Sequence, residues 1–267
     1  MNIYVIGAGT MGNAMIKQLA RARWRIFVYT RTVKKIRNAF SAKHVMIVND
    51  IRQIHDAQVV LVCVKPQDLS AVGKMIAHKL HPSAILVSIA AGVKIKQLKK
   101  IFKHKKVVRL MPNIGILVGK GIAAWIASGL TKRERYALYR FLHAISENIE
   151  VHRESEIDTV TAISGSGPAY VLYLTQTIQE SAEKLGLSKV VARQLTEKTL
   201  SAAAELQSGA AYQDVINRIV SKKGTTEAAL NVFKRQGLKR IIFNAIKAAR
   251  HRSEELSALS DSTVKRI

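Results

Sequence analysis

NIYVIGAGTMG, residues 2–12, decides the fold class because it joins an apolar strand pattern directly to a GxGxxG motif that opens a helix. In such motifs the first glycine permits a tight turn, the second lets a pyrophosphate approach the backbone, and the third allows close helix packing. The anion then lies at the helix N-terminus. An ordinary strand-to-helix turn is the alternative. Because strand, glycines and helix fall in register, the stretch predicts a dinucleotide site at Gly7, Ala8, Gly9, Thr10, Met11 and Gly12.

Outward from this motif, the first half of the chain alternates short apolar runs with segments of helical spacing. The apolar runs are residues 3–6, 26–29, 59–64, 85–89, 107–110 and 122–125. Short buried strands that alternate with helices are typical of a parallel, doubly wound sheet. From about residue 155 the strand pattern ends and the chain becomes rich in Ala, Leu and Glu. The sequence therefore predicts an α/β fold: an N-terminal Rossmann-type doubly wound parallel sheet in residues 1–154, followed by an all-α domain in residues 155–267.

The chain has the composition of a globular protein, with 267 residues of which 48% are apolar and 23% charged. Its apolar runs, such as residues 59–64, are far shorter than the roughly 18 residues that cross a bilayer. The N-terminus lacks the basic and apolar regions of a secretory signal, so we expect a cytoplasmic protein without membrane contact. The single cysteine, Cys63, excludes an intramolecular disulfide and a thiolate metal cluster. His78 and His81 form a conceivable metal pair without a third ligand, and no metal is expected.

The strong positive charge raises the question of a nucleic-acid partner. Lys and Arg number 43 against 18 Asp and Glu, which gives a net charge of +25. The densest basic run, from Lys94 to Arg109, contains one aromatic residue, Phe102, and no recognisable base-reading motif. Net charge alone governs solubility and nonspecific contacts. We interpret the run as a solvated face and expect no specific nucleic-acid partner.

The end of the second predicted strand indicates which dinucleotide binds. An NAD site usually has Asp or Glu about 20 residues past the glycine loop, where it binds the ribose 2′-hydroxyl. This chain instead has Tyr29-Thr30-Arg31-Thr32. A guanidinium clamps a 2′-phosphate and flanking hydroxyls donate to its oxygens, so the segment predicts NADP, with NADPH preferred over NADH. The alternative is that Arg31 is merely an exposed turn residue in a basic chain.

Three further segments follow predicted strands and therefore lie at the carboxyl edge of the sheet, where open α/β sheets bind ligands. They are Cys63-Val64-Lys65-Pro66, Ala90-Ala91-Gly92 and the segment that ends at Asn113. The small residues of the second segment would let a flat ring lie against the backbone. Cys63 itself is interpreted as an inert core residue, because a free cysteine behaves as a small buried hydrophobe.

Two segments of the helical half do not look like simple packing. SGSGPAY, residues 164–170, places two glycines and a proline inside a helical pattern that they weaken, with a packing kink as the alternative. SKKGTT, residues 221–226, is a hydroxyl-rich turn that offers N–H groups and a positive dipole end to an anion, with a simple helix N-cap as the alternative. Apolar residues from Val160 to Leu174 lie on several helix faces and predict an obligate dimer.

Taken in order, these motifs resemble those of the pyrroline-5-carboxylate reductase family. The resemblance spans nearly all residues and rests on the GxGxxG loop, VKPQ at 64–67, SIAAG at 88–92, MPN at 111–113, ISGSGPAY at 163–170 and the 221–226 segment. It implies that residues 1–154 form an NADP-binding Rossmann domain. Residues 155–267 would form a helical dimerisation and substrate-binding domain, interlocked in a homodimer that often assembles into rings. It also implies that NAD(P)H reduces the cyclic imine 1-pyrroline-5-carboxylate to L-proline, the last step of proline biosynthesis.

The resemblance also implies roles for individual residues. Ser221 and the N–H groups of Gly224 and Thr225 would bind the substrate carboxylate. Thr226, the expected catalytic residue, would bind the substrate and hydrogen-bond its ring nitrogen, and no His, Lys or carboxylate is an evident general acid. The expected cofactor-binding residues are Gly7, Ala8, Gly9, Thr10, Met11, Gly12, Thr30, Arg31, Thr32, Asn49, Cys63, Val64, Lys65, Pro66, Ala90, Ala91, Gly92 and Asn113.

The chain departs from the family pattern at three places. Ile114-Gly115 replaces the usual Thr-Pro after MPN, Lys223 replaces the first glycine of the substrate loop, and the acidic residue of an EHP-like segment is absent from residues 208–212. If position 223 needs a positive φ, lysine there costs roughly 1 kcal/mol. Two other functions stay open: a dinucleotide-binding paralogue with a regulatory or interaction role, and a reductase of another small cyclic imine or a related β-hydroxyacid.

Overall fold

The computed structural model describes residues 1–31, 43–207 and 209–265. Within these ranges the strands are β1 (Asn2–Ile6), β2 (Arg25–Tyr29), β3 (Val45–Ile47), β4 (Val59–Val62), β5 (Ile85–Ser88), β6 (Val107–Pro112), β7 (Ile122–Ser128) and β8 (Glu147–Glu150). The helices are α1 (Thr10–Arg21), α2 (Leu69–Ile76), α3 (Ile95–Phe102), α4 (Lys132–His143), α5 (Glu154–Val160), α6 (Gly167–Lys184), α7 (Lys189–Gln207), α8 (Tyr212–Ile219), α9 (Thr225–Arg235) and α10 (Leu238–Lys265).

All eight strands belong to one sheet, in the order β3-β2-β1-β4-β5-β6-β7-β8. The order reverses between β1 and β4, which is the switch point of a doubly wound sheet. Neighbouring strands from β3 to β6 are parallel, as predicted, whereas β7 runs antiparallel to β6. Only residues 113–121 join β6 to β7, and a parallel pair needs a crossover connection of a dozen or more residues.

Two strands were not predicted from the sequence, and both are at sheet edges. β3 has three partly buried residues, and β8 reads Glu-Asn-Ile-Glu with alternating exposed and partly buried positions. An edge strand with solvent on one side needs no continuous apolar run, so it lacks the pattern that identifies the buried strands.

The core lies on both faces of the sheet, because successive side chains of each strand point to opposite sides. Ile3 and Val5 pack with α1 on one face, and Tyr4 and Ile6 pack on the other face with apolar residues of α2 and α3. Burial on both faces explains why the central strands are apolar at nearly every position.

The chain forms two compact units. One contains residues 1–166 together with residues from 249 onward, and the other contains residues 167–248. From Glu154 the described residues contain α-helices and one π-helical turn, Thr161–Gly165, which confirms the predicted all-helical half. The predicted domain boundary after residue 154 stays a prediction. In the part of the chain that the structure describes, no helix is both long enough and apolar enough to cross a membrane.

Candidate functional site

The glycine loop between β1 and α1 has the three features predicted for its glycines: a tight turn, room for a pyrophosphate and close packing of the helix. Gly7 has φ +92°, and a Cβ there would lie 2.8 Å from the carbonyl oxygen of Cys63. A Cβ on Gly12 would overlap the Gly7 carbonyl oxygen, so the first turn of α1 packs directly on the loop. A Cβ on Gly9 would meet no atom within 4 Å. Gly9 therefore leaves an open approach to the N-terminus of α1, where N–H groups have no partner within the helix.

A cavity of about 370 Å³ opens beside this loop, next to the ends of β1, β2 and β4. This dinucleotide cleft is lined by eight of the predicted cofactor-binding residues, namely Gly7, Ala8, Gly9, Thr30, Arg31, Cys63, Val64 and Lys65. Six more lining residues were not predicted, namely Ile6, Tyr29, Asp68, Ala71, Val72 and Met75. The last three belong to α2, whose start directly after the VKPQ motif is the sequence signal that could have identified them.

The other predicted cofactor-binding residues that the structure describes do not line this cleft. Thr10, Met11 and Gly12 form the first turn of α1, Pro66 begins a short 3-10 turn, and Asn49 lies exposed two residues after β3. The roles predicted for Ala90, Ala91, Gly92 and Asn113 stay predictions, and Thr32 lies outside the described residues.

Arg31 is paired at the cleft with an acid that the sequence did not reveal. Its Nη2 lies 3.4 Å from Oδ1 of Asp68, and the two side chains are 84% and 34% exposed. An exposed pair of this kind contributes little to stability. A phosphate that binds Arg31 would therefore compete with Asp68 at little cost to the fold.

Cys63 lines the cleft, but its thiol is not reactive. Its Sγ donates to Met15 Sδ at 3.9 Å, and burial raises the pKa of the thiol well above its usual range. The thiol therefore stays protonated at neutral pH and is a poor nucleophile. Its carbonyl oxygen is the atom that a side chain at Gly7 would strike.

Two other predicted segments have clear structural roles. The Asn113 side-chain oxygen accepts from Ile122 N–H at 3.1 Å, and Asn113 N–H donates to the Ile122 carbonyl oxygen at 3.1 Å. Asn113 thus closes the turn between β6 and β7. Gly92 has φ +73°, and a Cβ there would lie 3.0 Å from the Leu256 carbonyl carbon in α10. Position 92 therefore needs glycine for conformation and for space.

The predicted substrate loop, residues 221–226, forms a turn that ends at the N-terminus of α9. Gly224 is the N-cap residue, and its N–H donates to the Ser221 carbonyl oxygen at 3.0 Å. A Cβ on Gly224 would overlap Ser221 Oγ, which places that hydroxyl at the helix N-terminus. Thr225 and Thr226 occupy the first turn, where N–H groups have no partner within the helix.

Lys223 has φ +58°, in the left-handed region that glycine favours. Position 223 therefore meets the condition under which the sequence analysis assigned lysine a cost of roughly 1 kcal/mol. Its N–H donates to Glu227 Oε2 at 2.7 Å, so a carboxylate already lies at this end of α9. In this conformation the N–H groups of Lys223 and Gly224 are both bonded within the loop, so the Gly224 N–H that was expected to bind the substrate carboxylate already has a partner. The N–H groups of Thr225 and Thr226 lie in the first turn of α9.

The two histidines considered as a metal pair have different neighbours. His78 Nε2 lies 3.3 Å from Lys103 Nζ, and His81 Nδ1 lies 2.6 Å from Ser83 Oγ. Among the residues that the structure describes, no group of three or more His, Cys, Asp or Glu side chains could hold a metal ion.

Comparison with known proteins matches each half of the chain to a family model. Residues 154–256 match pyrroline-5-carboxylate reductase dimerisation, and residues 2–92 match NADP oxidoreductase coenzyme F420-dependent. Pyrroline-5-carboxylate reductase of Pseudomonas aeruginosa is 36% identical over 79% of this chain and 79% of its own length. The enzyme of the same name from Haemophilus influenzae is 32% identical over 96% of this chain and 98% of its own.

Solved structures agree with these matches. A pyrroline-5-carboxylate reductase from Coxiella burnetii is 30% identical and superposes with a TM-score of 0.87 over 96% of this chain and 98% of its own. Plasmodium falciparum pyrroline carboxylate reductase with NADP bound is 24% identical, with a TM-score of 0.81 over 96% of this chain and 98% of its own, and shows the same fold. From its sequence relatives and its dimerisation segment, this chain belongs to the pyrroline-5-carboxylate reductase family.

Proposed function

We propose that this chain reduces 1-pyrroline-5-carboxylate to L-proline with hydride from a nicotinamide dinucleotide. The observation that carries the proposal is the open approach at Gly9, where the glycine loop leaves room for a pyrophosphate at the N-terminus of α1. Family membership supplies the substrate. The proposal also rests on Ser221, Thr225 and Thr226, which gather hydroxyls and first-turn N–H groups at one helix end, where a carboxylate is stabilised.

In the proposed mechanism this chain binds and orients the reactants. Residues 7–12 would hold the pyrophosphate, Arg31 would hold the 2′-phosphate, and Ser221 and Thr225 would hold the substrate carboxylate. Thr226 hydrogen-bonds the ring nitrogen, whose protonated imine is the better hydride acceptor. When bound, the reduced nicotinamide supplies the hydride. Such a reaction needs little covalent help, and positioning within about 3–3.5 Å contributes several kcal/mol.

Arg31 is proposed to make NADPH the preferred cofactor over NADH. Its guanidinium lines the dinucleotide cleft and is 84% exposed, so it can reach a phosphate with little loss of other contacts. Thr30 lines the same cleft. Arg31→Asp should reverse the preference, because a carboxylate there repels a 2′-phosphate and accepts from a 2′-hydroxyl. Equal kcat/KM values for the two cofactors in the unmutated protein would contradict this assignment.

A homodimer, assembled further into a ring, is the proposed oligomer. Within α6 the large apolar side chains of Leu172, Tyr173 and Ile178 are 63%, 70% and 58% exposed. Exposed apolar surface of this extent is typical of a protein–protein interface. Sedimentation should find no monomer in dilute solution, and a stable monomer would refute the dimer. We propose no specific nucleic-acid or membrane partner, and a cytoplasmic location, where NADPH is produced.

NADPH consumption with 1-pyrroline-5-carboxylate tests the activity directly. Formation of proline at the rate of NADPH loss is the expected result. Tight NADPH binding without turnover would favour a regulatory paralogue, and turnover only with another cyclic imine would change the substrate. The observation that favours testing other cyclic imines is Lys223, because this residue alters the loop proposed to bind the substrate.

A further inference from the structure

A cavity of about 400 Å³ lies between α2 and α3, separate from the dinucleotide cleft in its lining residues. Three lysines, one histidine and one serine line it together with small and apolar residues. The polar lining residues are Ser70, Lys74, His78, Lys100 and Lys103. None of the lining residues that the structure describes is acidic. This lysine groove therefore concentrates positive charge in a concave site of the size that holds small molecules.

The backbone holds two of these basic groups close together. Lys103 adopts φ +49° at the end of α3, a conformation that costs a non-glycine residue roughly 1 kcal/mol. Its Nζ lies 3.3 Å from His78 Nε2. The Lys103 and His78 side chains are therefore in contact at the groove.

Close packing of the two helices forms the floor of the groove. A Cβ on Gly73 would lie 2.5 Å from Ile101 Cγ2 and 2.7 Å from the Ile101 carbonyl oxygen, so α2 packs against both the side chain and the backbone of Ile101 in α3. Lys74 and Lys100 flank this contact in sequence on either helix. The cations are thus carried by rigid elements rather than by a loose surface segment.

We propose that the lysine groove binds a small molecule that bears two or more phosphate groups. Three ammonium groups provide compact, strongly hydrated charges of the kind that bind phosphate. Ser70 offers a hydroxyl donor, and Ile101 offers an apolar wall for the organic part of such a ligand. A strand of nucleic acid would instead need an extended basic track with aromatic side chains for stacking. Among the described residues that line the groove, His78 is the one with an aromatic ring.

The bound anion would act on the cofactor site through α2. Ala71, Val72 and Met75 line the dinucleotide cleft, whereas Ser70 and Lys74 line the lysine groove. One short helix therefore contacts both sites. If a ligand in one site shifts α2 and so changes the affinity of the other site, the second ligand changes the affinity for the first by the same factor. This inference does not depend on the imine that the protein reduces.

Calorimetric titration of inorganic tripolyphosphate into NADP-saturated protein tests the site, because the dinucleotide cleft is then occupied. The double variant Lys74→Gln/Lys103→Gln should weaken binding by about tenfold or more. The matched control is Lys96→Gln/Lys105→Gln, which removes the same charge at exposed lysines outside the groove and should change affinity by less than about twofold.

Equal losses in the two double variants would show nonspecific attraction and overturn the proposal. So would the absence of binding to NADP-saturated protein, or displacement of tripolyphosphate by a short single-stranded oligonucleotide that binds more tightly. As a second readout, tripolyphosphate should change the Kd for NADPH in the unmutated protein but not in Lys74→Gln/Lys103→Gln. Because both readouts measure binding, they remain decisive even if the protein fails to reduce pyrroline-5-carboxylate.

Discussion

The Arg109 guanidinium lies 3.4 Å from the Asp158 carboxylate, with both side chains buried. Arg109 belongs to β6, and Asp158 belongs to α5. Ser253 of α10 donates to the same Asp158 oxygen at 2.9 Å, so the charge pair connects the sheet with the last helix. Arg109 Nη1 also lies 3.2 Å from Glu154 Oε1. One cation thus contacts two carboxylates at this junction.

Loss of Arg109 should therefore destabilise the protein strongly. Arg109→Met keeps the apolar stem but leaves the buried Asp158 carboxylate without its cation, which costs about 3–5 kcal/mol in comparable sites. Urea unfolding measures this free energy. Arg193→Met breaks an exposed pair with Glu197 and should leave the unfolding midpoint nearly unchanged. Equal midpoints for all three proteins would show that the buried pair contributes nothing.

Substitution of Gly9 should separate cofactor binding from folding. Gly9→Ala adds a methyl into open space, so we expect at most about 1 kcal/mol lower stability at this N-cap. The same methyl stands where the pyrophosphate approaches, and NADPH affinity should fall by about tenfold or more. Gly12→Ala should instead lower stability by roughly 1–3 kcal/mol, because the added Cβ overlaps the Gly7 carbonyl. NADPH titration and urea unfolding of both variants check this contrast.

Restoring the family glycine at Lys223 should stabilise the substrate loop. Lys223→Gly relieves the left-handed strain at φ +58° and should raise the free energy of unfolding by roughly 0.5–1 kcal/mol. Lys222→Gly is the matched control, because Lys222 has no positive φ and gains nothing from glycine. If both variants lose stability equally, lysine at position 223 is not strained.

Burial of the Cys63 thiol should make the fold less stable at alkaline pH. Its pKa is raised in the folded state, so above about pH 8.5 the unfolded chain releases this proton while the folded chain keeps it. The unfolded state is then favoured, and stability falls as pH rises, by up to about 1.4 kcal/mol per pH unit from this group. The stability difference between Cys63→Ala and the unmutated protein should therefore change in the variant's favour between about pH 8 and about pH 10. A constant difference would contradict the raised pKa.

Most of the fold could be predicted because its buried strands carry their own signal. Residues 59–64 are apolar throughout, because β4 is buried on both faces. At the sheet edge, β8 contains Glu147 and Glu150 and therefore lacks an apolar run that would identify it. Helix ends carry a local signal as well, because Gly186 and Gly237 follow helices with a positive φ that glycine readily adopts. At the start of a helix, Ser188 Oγ accepts from Val191 N–H at 3.4 Å, as an N-cap residue does.

The parts of the site that escaped prediction depend on contacts between distant residues. Asp68 lies 37 positions from Arg31, so the sequence pattern around either residue does not predict their ion pair. The lysine groove likewise combines α2 with α3, while the sequence showed only a basic run from Lys94 to Arg109. The local sequence pattern indicates strands, turns and helix caps, but which charged side chains pair depends on how the helices and strands pack together.

Thr226 is expected to contribute to catalysis rather than only to the start of α9. The N-cap residue is Gly224, and Thr226 is the second residue of the helix, so its hydroxyl is not required as the cap. A hydroxyl bonded to the substrate ring nitrogen should affect kcat, because the charge of that nitrogen changes as hydride arrives. Thr226→Val keeps the shape without the hydroxyl and should lower kcat/KM by at least roughly tenfold, about 1.4 kcal/mol of transition-state binding.

Thr226→Ser provides the control, since it retains the hydroxyl and removes one methyl. We expect Thr226→Ser to keep nearly the kcat/KM of the unmutated protein, because the hydroxyl that hydrogen-bonds the ring nitrogen is retained. Steady-state kinetics and thermal unfolding of both variants distinguish the two roles. If Val and Ser variants turn over alike while both lose thermal stability, the hydroxyl only supports the helix start, and positioning of the imine falls to Ser221 and the first-turn N–H groups of α9.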